Sequence, residues 1–88
     1  MAWRIELSEK ARDFISALDR PQQKRFDKFF ARLTECDNPR LLGKALNGPL
    51  DMFWSYRVGD YRLICDICDN ILTVEVIRIG HRREVYRT

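Results

Sequence analysis

Cysteine is scarce and odd in number, with Cys36, Cys65 and Cys68 the three present among 88 residues. With no export signal at the start of the chain, that count argues against a disulfide framework. Cys65 and Cys68 fall within one apolar run, where positions three apart on a strand face opposite ways, and no second cysteine pair exists to complete a tetrahedral metal site. They are expected to be small strand residues. No stretch approaches the roughly 18 apolar residues of a membrane span. Met1-Ala2-Trp3-Arg4-Ile5-Glu6 lacks the apolar segment of a signal peptide, so a cytoplasmic protein without a membrane partner is expected. Internal repeats and low-complexity segments are missing. So are a paired carboxylate site, a Ser-His-Asp set and a metal cluster with usable spacing. Gly43-Lys44 is no phosphate-binding P-loop, because Asn38 stands where its first glycine belongs and Ala45 where a serine or threonine belongs.

The chain that remains is of ordinary globular composition, 45% hydrophobic. It is long enough for one domain, residues 1–88, with a single modest core. The net charge of +3 is unevenly placed: residues 78–87 hold Arg78, Arg82, Arg83 and Arg87 against Glu84, and the remainder balances 12 basic with 12 acidic residues. A carboxy-terminal arginine cluster suits phosphate, since guanidinium donates paired hydrogen bonds to its oxygens, although a solvated basic tail has the same composition.

Periodicity outlines the fold. Trp3, Ile5 and Leu7 alternate with Arg4 and Glu6 as a short half-buried strand. Ser8 then serves as an N-cap, and Ala11, Phe14, Ile15 and Leu18 form the apolar stripe of one helix. Pro21 opens a second helix, striped by Phe26, Phe29, Phe30 and Leu33. Lys24, Lys28 and Arg32 line its other side, as a solvated face or a contact for nucleic acid. Residues 36–51 read as a connecting loop with one helical turn, on Asn38-Pro39, Gly43 and Asn47-Gly48-Pro49. Three strands follow: 53–58, 61–69 and 71–79.

Gly59-Asp60 between the first two of these strands is a two-residue loop with glycine first, as a type II′ turn requires. Counting outward sets Val58 opposite Tyr61, Arg57 opposite Arg62 and Tyr56 opposite Leu63. Arg57 and Arg62 thus share one face as neighbours of like charge. A sheet that keeps such a pair either lets both tips reach water or holds them for an anion. A second two-residue loop at Asp69-Asn70 would pair Cys68 with Ile71, Cys65 with Val74 and Leu63 with Val76. One face would then collect Trp54, Tyr56, Val58, Tyr61, Leu63, Cys65, Ile67, Leu72, Val74 and Val76 beneath the helices. The other would carry Ser55, Arg57, Arg62, Ile64, Asp66, Thr73, Glu75 and Ile77 with no helix left to cover it. Glu75 would lie diagonally from Arg62, within reach of an ion pair.

The hairpin "Tyr56-Arg57-Val58-Gly59-Asp60-Tyr61-Arg62", the closing "Gly80-His81-Arg82-Arg83-Glu84-Val85-Tyr86" and the loop "Gly43-Lys44-Ala45-Leu46-Asn47-Gly48" together resemble the RelE/ParE toxin superfamily, specifically its RelE-like branch. The resemblance covers almost the whole chain. It implies an α+β fold with an N-terminal strand and an antiparallel helical hairpin, the hairpin packed on one face of a small, mainly antiparallel sheet whose other face is open. It further implies a toxin of a type II toxin–antitoxin system, an endoribonuclease that cleaves messenger RNA on the ribosome by attack of the 2′-hydroxyl on the adjacent phosphate, without metal or other cofactor. A cognate antitoxin would silence it within a hetero-oligomer. Carried over by motif, Arg62 contacts the phosphate, Arg82 stabilises the developing charge and Tyr86 acts in proton transfer, with His81 second in line as the base. Arg57 takes one of two basic strand positions, and Ser55 departs from the family at the other. Arg57, His81, Arg83, Lys44, Lys24, Lys28 and Arg32 are the candidates for binding RNA or phosphate. Continued as a straight strand, the last segment would turn Arg82 toward the helices with Arg78, so the assignment requires an irregularity near Gly80. If the strand ran straight, Arg83 and His81 would take its place. A gyrase inhibitor of ParE type without nuclease activity, or a weakened toxin kept as an antitoxin partner, are the alternatives.

Overall fold

Ser8 sits where extended chain becomes helix, its Oγ accepting the Ala11 N–H at 3.1 Å while donating to the Ile77 carbonyl at 2.7 Å. The N-cap of one element is thereby tied to the last strand, 69 residues away. The computed structural model describes residues 2–81. Their strands are β1 (Arg4–Leu7), β2 (Lys44–Ala45), β3 (Trp54–Val58), β4 (Tyr61–Cys68) and β5 (Thr73–His81), and their helices α1 (Glu9–Ser16) and α2 (Arg20–Glu35). Asp19 caps α2 through the Gln22 N–H at 3.3 Å, and Pro21 stands in its first turn, where a missing N–H costs nothing. Neither helix is long and apolar enough to cross a membrane.

The sheet order is β1-β5-β4-β3-β2, with β1 parallel to β5 and the other neighbours antiparallel. Ala11, Phe26 and Leu33 of the helices are fully buried against Tyr56, Leu63, Cys65, Val74 and Val76 of the sheet. Each residue expected beneath the helices belongs to this core or packs on it, Leu72 included. Burial pushes the Cys65 thiol up, well away from a reactive thiolate, and Cys68 faces the opposite way, toward Glu75.

Two expectations fail at β5. The turn before it spans four residues rather than two: Cys68 pairs with Thr73, and Leu72 adopts the left-handed conformation (φ 48°, ψ 47°) that reverses the chain after a 3-10 turn over Asp69–Ile71. The register therefore moves by two, which preserves the face of every residue up to Val76 but changes its partner. The irregularity expected at Gly80 lies three residues earlier. Cys65 pairs with Val76 but Ile64 with Arg78, so Ile77 and Arg78 together oppose one residue as a β-bulge. Beyond it, the buried Ile79 joins the core and Arg78 turns out with Arg62 and Ile64.

The connecting segment also holds more than a loop. A 3-10 turn at Pro39–Leu42 leads into β2, which pairs Lys44 with Ser55 and Ala45 with Trp54. Three side chains pin this turn: Tyr56 Oη donates to the Pro39 carbonyl at 2.7 Å, Trp54 Nε1 to the Arg40 carbonyl at 3.1 Å, and Arg40 pairs bidentately with Asp69 at 2.7 and 2.8 Å. The hydrogen bonds from Arg40 hold the Asp69 carboxyl below its ordinary range. This contribution to stability is present above the unfolded aspartate value and is lost as pH falls through the depressed one. Asp69→Asn should therefore flatten that part of the acid limb of the stability profile, as followed by circular dichroism. Gly43 passes so close to β3 that an added Cβ would lie 2.4 Å from the Ser55 carbonyl oxygen and 2.7 Å from the Tyr56 ring. Gly43→Ala should cost about 1–3 kcal/mol in urea unfolding, and an unchanged midpoint would contradict this packing.

Candidate functional site on the open sheet face

The hairpin that positions the site forms as its residues require. Gly59 has φ 59° while Asp60 stays in the ordinary region, as a type II′ turn demands, and Arg57 pairs directly with Arg62. Arg57 Nε donates to the Gly59 carbonyl at 3.2 Å, which steadies the base of the guanidinium and leaves its tip in solvent. Opposed residues of like charge destabilise a strand pair unless something between them answers their charge. The expected answer, Glu75, is not in place. The shifted register puts it opposite Asp66, where it accepts from the Cys68 thiol at 3.7 Å, and Arg62 faces Gly80 instead. Among the described residues no carboxylate pairs with Arg57 or Arg62.

Lys44 joins them. By pairing with Ser55, which precedes Arg57 by two residues on β3, it reaches the same face of the sheet. Lys44, Ser55, Arg57 and Arg62 line one cleft of about 510 Å³ together with Leu41, Leu42, Gly43, Ala45 and Leu46. The face is less open than its composition suggests, since Ser55, Ile64 and Thr73 are buried although they point away from the helices. Arg78 was not among the sequence-derived candidates, because a straight strand turns it inward. The bulge brings it out, exposed, one residue pair along from Arg62. A pairing register is what could have revealed it, and periodicity alone supplies none.

The other candidates separate. His81 pairs with Tyr61, and its ring lies 5.0 Å from the Tyr61 ring, which itself packs on Phe14 and Phe26 at 5.6 and 5.7 Å. It is thus on the helix side of the sheet, away from Arg57 and Arg62, because the bulge inverts the phase of the strand that carries it. Lys24, Lys28 and Arg32 are exposed on α2, in the layer behind the sheet. Arg82, Arg83 and Tyr86 lie outside the described residues. Tyr56 is a phenol close to the cleft, yet burial pushes its pKa far above the ordinary value and its hydroxyl is committed to Pro39, so it is no proton carrier.

Three cations in one cleft, none paired with a carboxylate among the described residues, can bind an anion such as phosphate. Their mutual repulsion should be visible in stability. Arg57→Leu should leave the thermal midpoint unchanged or raise it, by up to about 1 kcal/mol in stability, while weakening phosphate binding. A loss of stability would mean that Arg57 is held for structure.

Comparison with known proteins agrees with this geometry. Residues 5–86 match the family model described as the ParE toxin of the type II toxin–antitoxin system parDE. Toxin RelE of Mycobacterium tuberculosis is 43% identical over 51 residues, 58% of this chain and 53% of that protein, so the match spans about half the length of this curated relative. The toxin–antitoxin complex RelBE2 of Mycobacterium tuberculosis contains a chain with a TM-score of 0.81 and 28% identity, over 96% of this chain and 95% of that one. The archaeal RelE–RelB complex of Pyrococcus horikoshii gives 0.74 at 21% identity, covering 97% of this chain and 100% of that one, and shows the shared fold. A helical hairpin on one face of a five-stranded sheet, cations on the other, and a family match over nearly all its length: the chain belongs to the ParE toxin family of type II toxin–antitoxin systems, within the RelE/ParE superfamily.

Proposed function

We propose that this protein is the toxin of a toxin–antitoxin pair and acts as an endoribonuclease on messenger RNA engaged by the ribosome. The observation that carries the reading is the Arg57–Arg62 cross-strand pair, without a carboxylate partner among the described residues and joined by Lys44 in one cleft. In the reaction the 2′-hydroxyl attacks the neighbouring phosphorus, its proton passes to a base, and the bond to the 5′-oxygen breaks as that oxygen gains a proton. A cyclic phosphate and a free 5′-hydroxyl remain. Negative charge gathers on the non-bridging oxygens in the transition state, and guanidinium groups fixed beforehand interact with it more strongly than with the ground state. Arg62 and Arg57 hold the phosphate, and Lys44 supplies the cation that the family pattern puts where Ser55 stands, from the adjacent strand. Arg82 answers the developing charge and Tyr86 moves the proton, roles that rest on the closing sequence motif. A phenol with an ordinary pKa near 10 needs nearby cations to serve as a base at neutral pH.

A cognate antitoxin is the expected partner, since two of the solved structures this chain resembles are of a toxin–antitoxin complex and of a RelE–RelB complex. Gyrase inhibition is the second reading, because the matching family model is described by the name ParE. The two are separated by parallel assays. Primer extension on a translated message should reveal cuts that require ribosomes, and Arg62→Ala should reduce them by about 10²–10³-fold, the effect of losing one fixed charge-stabilising donor. Uncut message together with inhibited DNA supercoiling would establish the gyrase reading instead.

A further inference from the structure

The cleft has two unlike linings. Lys44, Arg57 and Arg62 supply its cations, and Leu41, Leu42 and Leu46 an apolar wall. Leu41 is 80% exposed, and its loop cannot fold it away: the carbonyls of Pro39 and Arg40 are held by Tyr56 and Trp54, and the Leu41 N–H donates to the Asn38 carbonyl at 3.1 Å. An exposed leucine by itself needs no explanation. One fixed in the lining of a concave site, together with three cations that no carboxylate among the described residues pairs with, gives that site the two chemistries of a nucleotide. At about 510 Å³ the cleft lies within the range of small-molecule sites, which combine apolar walls with a few placed polar groups.

We infer that the Leu41–Leu42–Leu46 wall receives a nucleobase adjoining the phosphate bound by Lys44, Arg57 and Arg62. The inference rests on the phosphate-binding role proposed above and extends it from the phosphate to the nucleotide. The charge pattern favours this occupant over an apolar side chain of a protein partner, which would leave the three cations unanswered in the same cleft. The wall is also preorganised, because its loop is pinned in the free protein, so little ordering is required when the base docks.

Two probes of similar charge test it on the isolated chain: inorganic phosphate and adenosine 3′-monophosphate, each titrated by NMR or calorimetry at low ionic strength. The nucleotide should bind about tenfold tighter than phosphate, the effect of roughly 50–60 Å² of apolar contact. Leu41→Ser should remove that difference without changing phosphate affinity, and Leu41→Met, which keeps the apolar area, should retain it. Circular dichroism confirms that each variant is folded. Equal affinity for the two probes in the wild type, or a difference that survives Leu41→Ser, overturns the base site and leaves the phosphate site standing. Failure of both probes to bind removes the phosphate site and the base site together. A Leu41→Ser variant that loses antitoxin affinity while the difference between probes is unchanged assigns the wall to the protein partner and overturns the inference.

Discussion

The bulge in β5 sets the chemistry of the exposed face. One extra residue at Ile77 keeps Val76 and Ile79 both in the core and turns Arg78 outward, where a straight strand would bury it. Ser8 holds that residue in place, with one hydroxyl capping α1 and binding the Ile77 carbonyl. The first turn of the helical layer and the phase of the last strand are thus coupled through a single oxygen. From this phase follow the outward direction of Arg78 and the place of His81 beside Tyr61.

Function and stability pull against each other along the β3–β4 hairpin. A tight type II′ turn and a continuous apolar face force Arg57 and Arg62 together, and the register removes the carboxylate that could have relieved them. Such a pair persists because the opposite face is well packed, with Tyr56 and Leu63 fully buried. The connecting segment contributes in the same way. Anchored by Tyr56, Trp54 and Asp69, it sets Lys44 and Leu41 in the lining of the cleft on strands and a pinned turn, where geometry is better defined than on a free loop.

Much of this was legible in the chain itself. The stripes of α1 and α2, the cap at Ser8, the start of α2 at Pro21 and the alternation of β3 and β4 specify the core face, because burial acts residue by residue with the period of each element. The Arg57–Arg62 pairing followed from the glycine of one turn. What could not be read were features set by three-dimensional pairing: the four-residue turn closed by Leu72 in a left-handed conformation that leucine seldom adopts, the bulge at Ile77, and the two-residue strand β2. Each of the three shapes the site. The four-residue turn separated Glu75 from Arg62, the bulge exposed Arg78, and β2 delivered Lys44 beside Ser55.

The central claim is that Arg57 and Arg62 repel one another in the free protein and are reconciled by a bound phosphate. A double-mutant cycle on stability, with Arg57→Leu, Arg62→Leu and the pair, measures this directly when run at low ionic strength with and without saturating phosphate. The coupling should be unfavourable by a few tenths to about 1 kcal/mol without the anion and become favourable with it. A coupling near zero in both conditions, or one that phosphate leaves unchanged, would contradict the account.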